Sequence, residues 1–362
     1  MSQTEAAELP PQYSEYPTNT NLPSQFPIGG QNTSPLVNVA ELQAHLRLLG
    51  AIHKLKEDVQ SQQDGIAATN KEITWVVFVN KAVYRFFAWT AAIWVRESSV
   101  VSEWDIPPLD VIMVWHTYLL NPRAFFEDSR RMSTEYCTNL IEIEEMPLAL
   151  ISSLIDSETL DPLPPSNERQ DTFEQTAKLP YHISLVTDYS EALTLTCPFC
   201  AHPNQSVLWL NDGEKGYAQT QFEHSCEKCG SNFSKSNIGI RRFCEEITRR
   251  RTGERIFFPE ILLNPLTGLL DEKTATATIT KIFKYLDAVY QVLQPMPPGE
   301  NIHAEATRLA EGLNYDHLQL SDTLHRAVNP YSAPNRSRPT PRQVFHKEKH
   351  ATSGLTIDCV GI

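Results

Sequence analysis

Four of the seven cysteines fall in two Cys-x-x-Cys pairs, Cys197-Pro-Phe-Cys200 and Cys226-Glu-Lys-Cys229, with twenty-five residues between them. No other feature of the chain limits its folding as much. A Cys-x-x-Cys turn aims two thiolates at one point, and two such turns supply the four soft donors that a tetrahedral Zn2+ takes. Gly230 follows the second pair, where a sharp turn favours a residue that enters positive φ without a steric penalty. Four cysteine ligands leave no open position on the metal, so the spacing predicts a structural Zn2+ held by Cys197, Cys200, Cys226 and Cys229. His202 and His224 lie near enough in sequence to replace one cysteine. Cys244 reads as an ordinary apolar core residue. The run from Val207 to Leu210, the turn Asn211-Asp212-Gly213 and the run from Tyr217 to Phe222 predict a hairpin that brings the pairs together, with a further strand over Leu193–Thr196.

The rest of the chain divides by composition. Residues 1–35 carry six prolines among Gln, Asn, Ser and Thr and read as disordered, since they bury too little apolar surface to offset ordering. Residues 36–155 read as a helical bundle domain. Its helices begin near Val37, run over about Ile73–Val95, span Pro107–Pro108 to Asn121–Pro122, and cover Ala124 to about Asn139. The acid- and proline-rich stretch 156–172 reads as a linker. Residues 173–295 then form a zinc-ribbon-containing α+β domain with helices near 236–251 and 275–293, and 296–362 is mostly flexible tail with a short helix near 304–313. The fold class expected is α+β, mostly α.

A formal net charge of −13 opposes non-specific coating of nucleic acid, which needs positive surface. The most apolar stretch, Trp75–Val95, is long enough to span a bilayer but contains Asn80, Lys81 and Arg85. A Lys or Arg at mid-bilayer costs about 2.5 to 3.5 kcal/mol, which favours a buried helix of a soluble bundle. Seven cysteines without an export signal fit a reducing compartment, and cytoplasm or nucleus is the expectation.

The segment Pro107-Pro108-Leu109-Asp110, then Trp115-His116, then Asn121-Pro122-Arg123 is the most specific sequence signal outside the cysteines. It resembles the signature of the glycine-rich-domain-containing-protein-like family of plants and fungi. Gly216-Tyr217-Ala218-Gln219 with the second cysteine pair is similar to that family's fungal type. The resemblance runs as ordered motifs over roughly residues 40–290. Tyr118 stands where many relatives have a second His or Cys. With only 14 glycines in the chain, the glycine-rich tail is missing, and no RNA-related role follows from the resemblance.

On the helix carrying that motif, Leu109, Ile112, Met113, His116 and Leu120 share a face, so His116 points into the core. The expected role is a neutral imidazole bonded to a carbonyl or carboxylate, with ligand binding or general-base chemistry as alternatives. Asp110 reads first as a helix-start residue, and Asp110, Trp115 and His116 stand together as a motif with either a core or a functional role. The triplets His303-Ala-Glu305 and His346-Lys-Glu348 lack the strand context of a non-haem iron site. Arg241, Arg242, Arg249, Arg250, Arg251 and Arg255 form a basic segment that could meet phosphate. Cys359-Val360-Gly361-Ile362 loosely fits a prenylation signal. The leading function expected is a non-enzymatic interaction or scaffold protein with an unidentified protein partner. A nucleic-acid-binding protein is the alternative, and an enzyme using His116 the third reading.

Overall fold

The computed structural model describes residues 25–35, 37–65, 70–92, 102–131, 145–259, 261–264 and 266–284. Two compact units divide between Gln43 and Ala44. In the first, β1 (Phe26–Ile28) and β2 (Gln31–Thr33) pair antiparallel around the Gly29-Gly30 turn. Part of the segment expected to be disordered is thus a hairpin. A reciprocal cap follows, in which Asn38 N–H donates to Glu41 and Glu41 N–H donates to Asn38, both at 2.8 Å, and it opens helix α1 (Val39–Gln60).

In the second unit, helices supply most of the regular structure: the remainder of α1, α2 (Lys71–Ala92), α3 (Leu109–Leu119), α4 (Pro122–Arg130), α5 (Leu148–Ser153) and α6 (Asn167–Ala177). Pro108 precedes α3 and Asn121 caps α4, where Pro122 takes the first helical position. Their apolar faces meet in one core built on Leu48, Trp75, Phe86, Ile106, Met113, Trp115, Phe125 and Phe173.

The charges inside α2 are resolved by pairing. Lys81 meets Glu191, and the Arg85 guanidinium donates to Asp110 at 2.6 Å, to Pro180 O at 2.6 Å and to Tyr181 O at 2.8 Å. Every arm of that buried fork is used, which makes α2 a core helix of a folded protein. No helix among the described residues is long and apolar enough to cross a membrane.

Residues 156–172 are not a linker. Asp156 Oδ1 accepts the amides of Glu158 and Thr159, Ile155 bridges Pro162, and Asp161 pairs with Lys54 of α1 at 2.6 Å. Arg169, only 4% exposed, donates to Ile106 O and Pro107 O, both at 2.8 Å. Prolines and acids, read as loop signals, here cap turns and hold the chain against the bundle. The expected division into domains at this stretch also changes. Phe173, Ala177 and Tyr181 lie in the helical core, whereas Val77 of α2 lies in a second core with Leu193, Val207, Trp209, Leu210, Phe222 and Phe233. One helix therefore feeds both cores.

Beyond that point come β3 (Ala192–Thr196), β4 (Pro203–Leu208), β5 (His224–Ser225), β6 (Asn232–Phe233), α7 (Lys235–Arg251) and α8 (Glu272–Lys284). Fully buried Arg131 joins α4 to α7, reaching Asp128 at 2.9 Å and Glu246 at 3.5 Å, while Glu127 accepts the Leu262 amide at 2.6 Å. The proposed tail helix and the outer ends of the helices expected to reach 139 and 293 lie outside the described residues.

Candidate metal centre

The strands pair differently from the expected hairpin. β3 pairs with β4, and β5 with β6, both antiparallel. Each cysteine pair therefore sits in the turn of its own two-stranded hairpin. Residues 217–222 are not a strand. The Gln219 side chain accepts from the Asn211 and Gly216 amides and donates to Asn211 O, so local backbone groups find a side-chain partner and the loop closes on itself. Gly216 permits this approach, since a Cβ there would lie 2.5 Å from Leu210 Cα and from Trp209 O. The aromatic residues of the run still serve, with Tyr217 packed edge-on to Trp209 and to Phe222, and Phe222 to Phe233.

The two cysteine turns are built alike. Ala201 N–H donates to Cys197 O at 3.0 Å and Gly230 N–H to Cys226 O at 2.9 Å. Cys197 N–H donates to His202 O at 2.8 Å, and Cys226 N–H to Ser231 O at 3.0 Å. The residue closing each turn is left-handed, with φ +58° at Ala201 and +71° at Gly230. Glycine meets that demand freely at 230, whereas alanine at 201 adopts a conformation costly for a side chain.

These turns place the four sulfurs within 4.8 Å of one another, as a set that could hold a metal ion. Between the hairpins, Cys197 Sγ lies 3.8 Å from Cys229 Sγ, and Cys200 Sγ lies 3.6 Å from Cys226 Sγ. A disulfide needs about 2.05 Å, so all four are free thiols. Burial pushes the Cys197 thiol up to about 12, while hydrogen bonds from the Ser231 side chain and amide hold Cys229 down to about 6. Four thiols crowded this closely cannot all ionise without a cation among them.

The hairpins are joined by a residue the spacing did not flag. Asn204 is fully buried; its amide donates to Leu195 O at 3.2 Å and His202 O at 3.1 Å, and its carbonyl accepts the Glu227 amide at 2.8 Å. Glu227 in turn accepts from the Ser206 hydroxyl at 2.5 Å. Asn-for-backbone pairing of this kind has no sequence signature. Among the described residues, neither His202 nor His224 belongs to the sulfur set; the His224 ring packs against Phe233 instead. Cys244 is no fifth ligand, and burial pushes its thiol up to about 11.

The other sequence candidates are placed as follows. Asp110 is held by Arg85, with burial raising its carboxyl against the pull of the guanidinium. Trp115 is fully buried against Trp89, ring centroids 5.5 Å apart. His116 is buried as expected, but its partner is neither a carbonyl nor a carboxylate. His116 Nε2 lies 2.8 Å from His45 Nε2 on α1, seventy-one residues away. In the basic segment, Arg241 pairs with Glu245 at 2.7 Å, Arg249 with Glu254 at 2.6 Å, and Arg255 with Glu272. Arg250 lies over the Phe257 ring, and Arg242 and Arg251 are exposed. The acids reduce the field that this segment presents to phosphate. His303, His346 and Cys359 lie outside the described residues. Comparison of the chain with protein-family models, with curated proteins and with solved structures gives no match, so the geometry carries the functional reading.

Proposed function

We propose that this chain is a non-enzymatic interaction or scaffold protein whose two cysteine hairpins form a zinc ribbon closed on a structural Zn2+. The observation that carries the reading is the sulfur geometry. With Zn–S bonds of about 2.3 Å, the edge of a tetrahedron is about 3.8 Å. The distances of 3.8 and 3.6 Å between the hairpins fit that edge. Cys197, Cys200, Cys226 and Cys229 would hold the ion, and four thiolates leave no place for a substrate or a reactive water. Zn2+ bound there supplies cohesion between hairpins whose strands are at most six residues long. Membership of the glycine-rich-domain-containing-protein-like family is part of this reading and rests on the sequence motifs Pro107–Asp110, Trp115-His116 and Asn121–Arg123.

An interaction role is supported by apolar surface near α8. Leu266, Leu269 and Leu270 are 94%, 69% and 44% exposed on one loop, a local cluster of apolar surface on which a partner could pack. Affinity capture with the full chain, with and without nuclease, tests the role against the nucleic-acid alternative. Partners that survive nuclease and are lost with Leu266→Ser/Leu269→Ser support a protein interaction surface. Partners that vanish on nuclease treatment and ignore the leucines contradict it.

A further inference from the structure

We propose that the His45–His116 pair is a proton-operated clasp between α1 and α3, closed at neutral pH and opened by mild acidification. The two Nε2 atoms face each other at 2.8 Å, and the ring centroids are 5.0 Å apart. Such a contact needs one nitrogen to donate and the other to accept. His116 is 5% exposed and its Nδ1 has no hydrogen-bond partner, whereas His45 is half-buried. The neutral pair therefore keeps the His116 proton on Nε2, donating to His45, because a buried N–H at Nδ1 without an acceptor costs more than an unused lone pair.

An added proton breaks this arrangement from either side. On His45 it turns the acceptor into a donor and forces the His116 proton round to the unpartnered Nδ1. On His116 it places a charge in the core with a donor opposite. No described carboxylate forms an ion pair with either ring, and Glu41, one turn before His45 on α1, accepts the Asn38 amide. On α3, Asp110 is engaged by Arg85 of α2. On α4, Glu127 holds the Leu262 amide and Asp128 holds Arg131. On α1, Arg47 donates to Ser152 O of α5, and Lys54 pairs with Asp58 and Asp161. Burial first, and then His45, lower the His116 pKa from 6.5 to about 4.

The sign follows from that direction. The closed state binds fewer protons than the open one between these values, so the clasp contributes fully above pH 6.5 and is lost as pH falls towards 4. Over the interval from pH 7 to 5, the opening equilibrium rises roughly twentyfold.

Hydrogen exchange of the full chain, corrected for intrinsic rates, tests this. Amides of Leu48–Val59 in α1 are expected to lose roughly twentyfold protection between pH 7 and 5 in the wild type, and to stay level in His116→Gln. Amides of β3–β6, read in the same samples, separate any loss of metal from opening of α1. Unchanged α1 protection in the wild type, or an equal loss in His116→Gln, would overturn the proposal. If His116→Gln does not fold, NMR titration of the wild-type His116 ring decides: a pKa at least about one unit below 6.5 supports the clasp, and one nearer 6.5 or above it refutes it.

Discussion

The sulfur centre and the helical core solve the same problem, bringing polar side chains together, in opposite ways. In the first, each donor comes from a local turn, and the two turns repeat the same backbone bonds at Cys197 and Cys226. In the second, the partners are far apart in sequence: Arg85 reaches Asp110 and the 180–181 carbonyls, Arg169 reaches 106–107, and His116 meets His45. A centre made of local turns gains nothing until something bridges the turns. A core made of long-range pairs holds as soon as the helices pack. The first should therefore depend on a metal ion and the second on each buried partner.

The sharpest way to break this contrast is to remove one sulfur. Cys226→Ser is expected to abolish tight metal binding, and with it a folding contribution of about 10 kcal/mol or more. Exchange protection should collapse in β3–β6 while Phe86, Met113 and their neighbours in the helical core stay protected. Equal collapse of both regions would make them one cooperative body and end the comparison. The converse variant is Arg85→Ala, which leaves the buried Asp110 carboxyl without its guanidinium partner. It is expected to cost about 3–5 kcal/mol by urea denaturation while leaving metal stoichiometry intact.

Asn204→Ala probes the join between the two cysteine turns. Three bonds of a buried amide are lost, for an expected cost of about 1–3 kcal/mol and a metal affinity about 10- to 100-fold weaker by chelator competition. Affinity unchanged from wild type would show that the sulfurs need no such brace. At the bottom of the range, Arg241→Ala removes an exposed pair with Glu245 and should move stability by less than about 0.5 kcal/mol.

These differences also explain which features are legible in the sequence. The cysteine centre was legible because its information is local: two x-x spacings and Gly230 specify turns whatever else the chain does. Helices α1 to α4 were legible through periodicity and through the prolines at 108 and 122. The strand pairing was not, because β4 begins at Pro203, a residue that reads as a breaker but is tolerated at the first position of a strand. Residues 217–222 have strand composition, yet beyond the Tyr217 and Ala218 amides, which donate to Leu208 O and Trp209 O, the chain turns instead of extending. The stretch 156–172 looked like a linker because proline and acid mark caps as often as they mark disorder. Nothing in the sequence connects His45 with His116, since only the packing of α1 brings them together.

Four thiolates sharing one ion are the premise of the proposed ribbon. X-ray absorption at the zinc edge, on reduced protein purified without added metal, measures this most directly. One zinc per chain with four sulfur neighbours at about 2.3 Å is the predicted result. Strands β3–β6 that stay protected without metal, or a first shell containing nitrogen or oxygen, would contradict it.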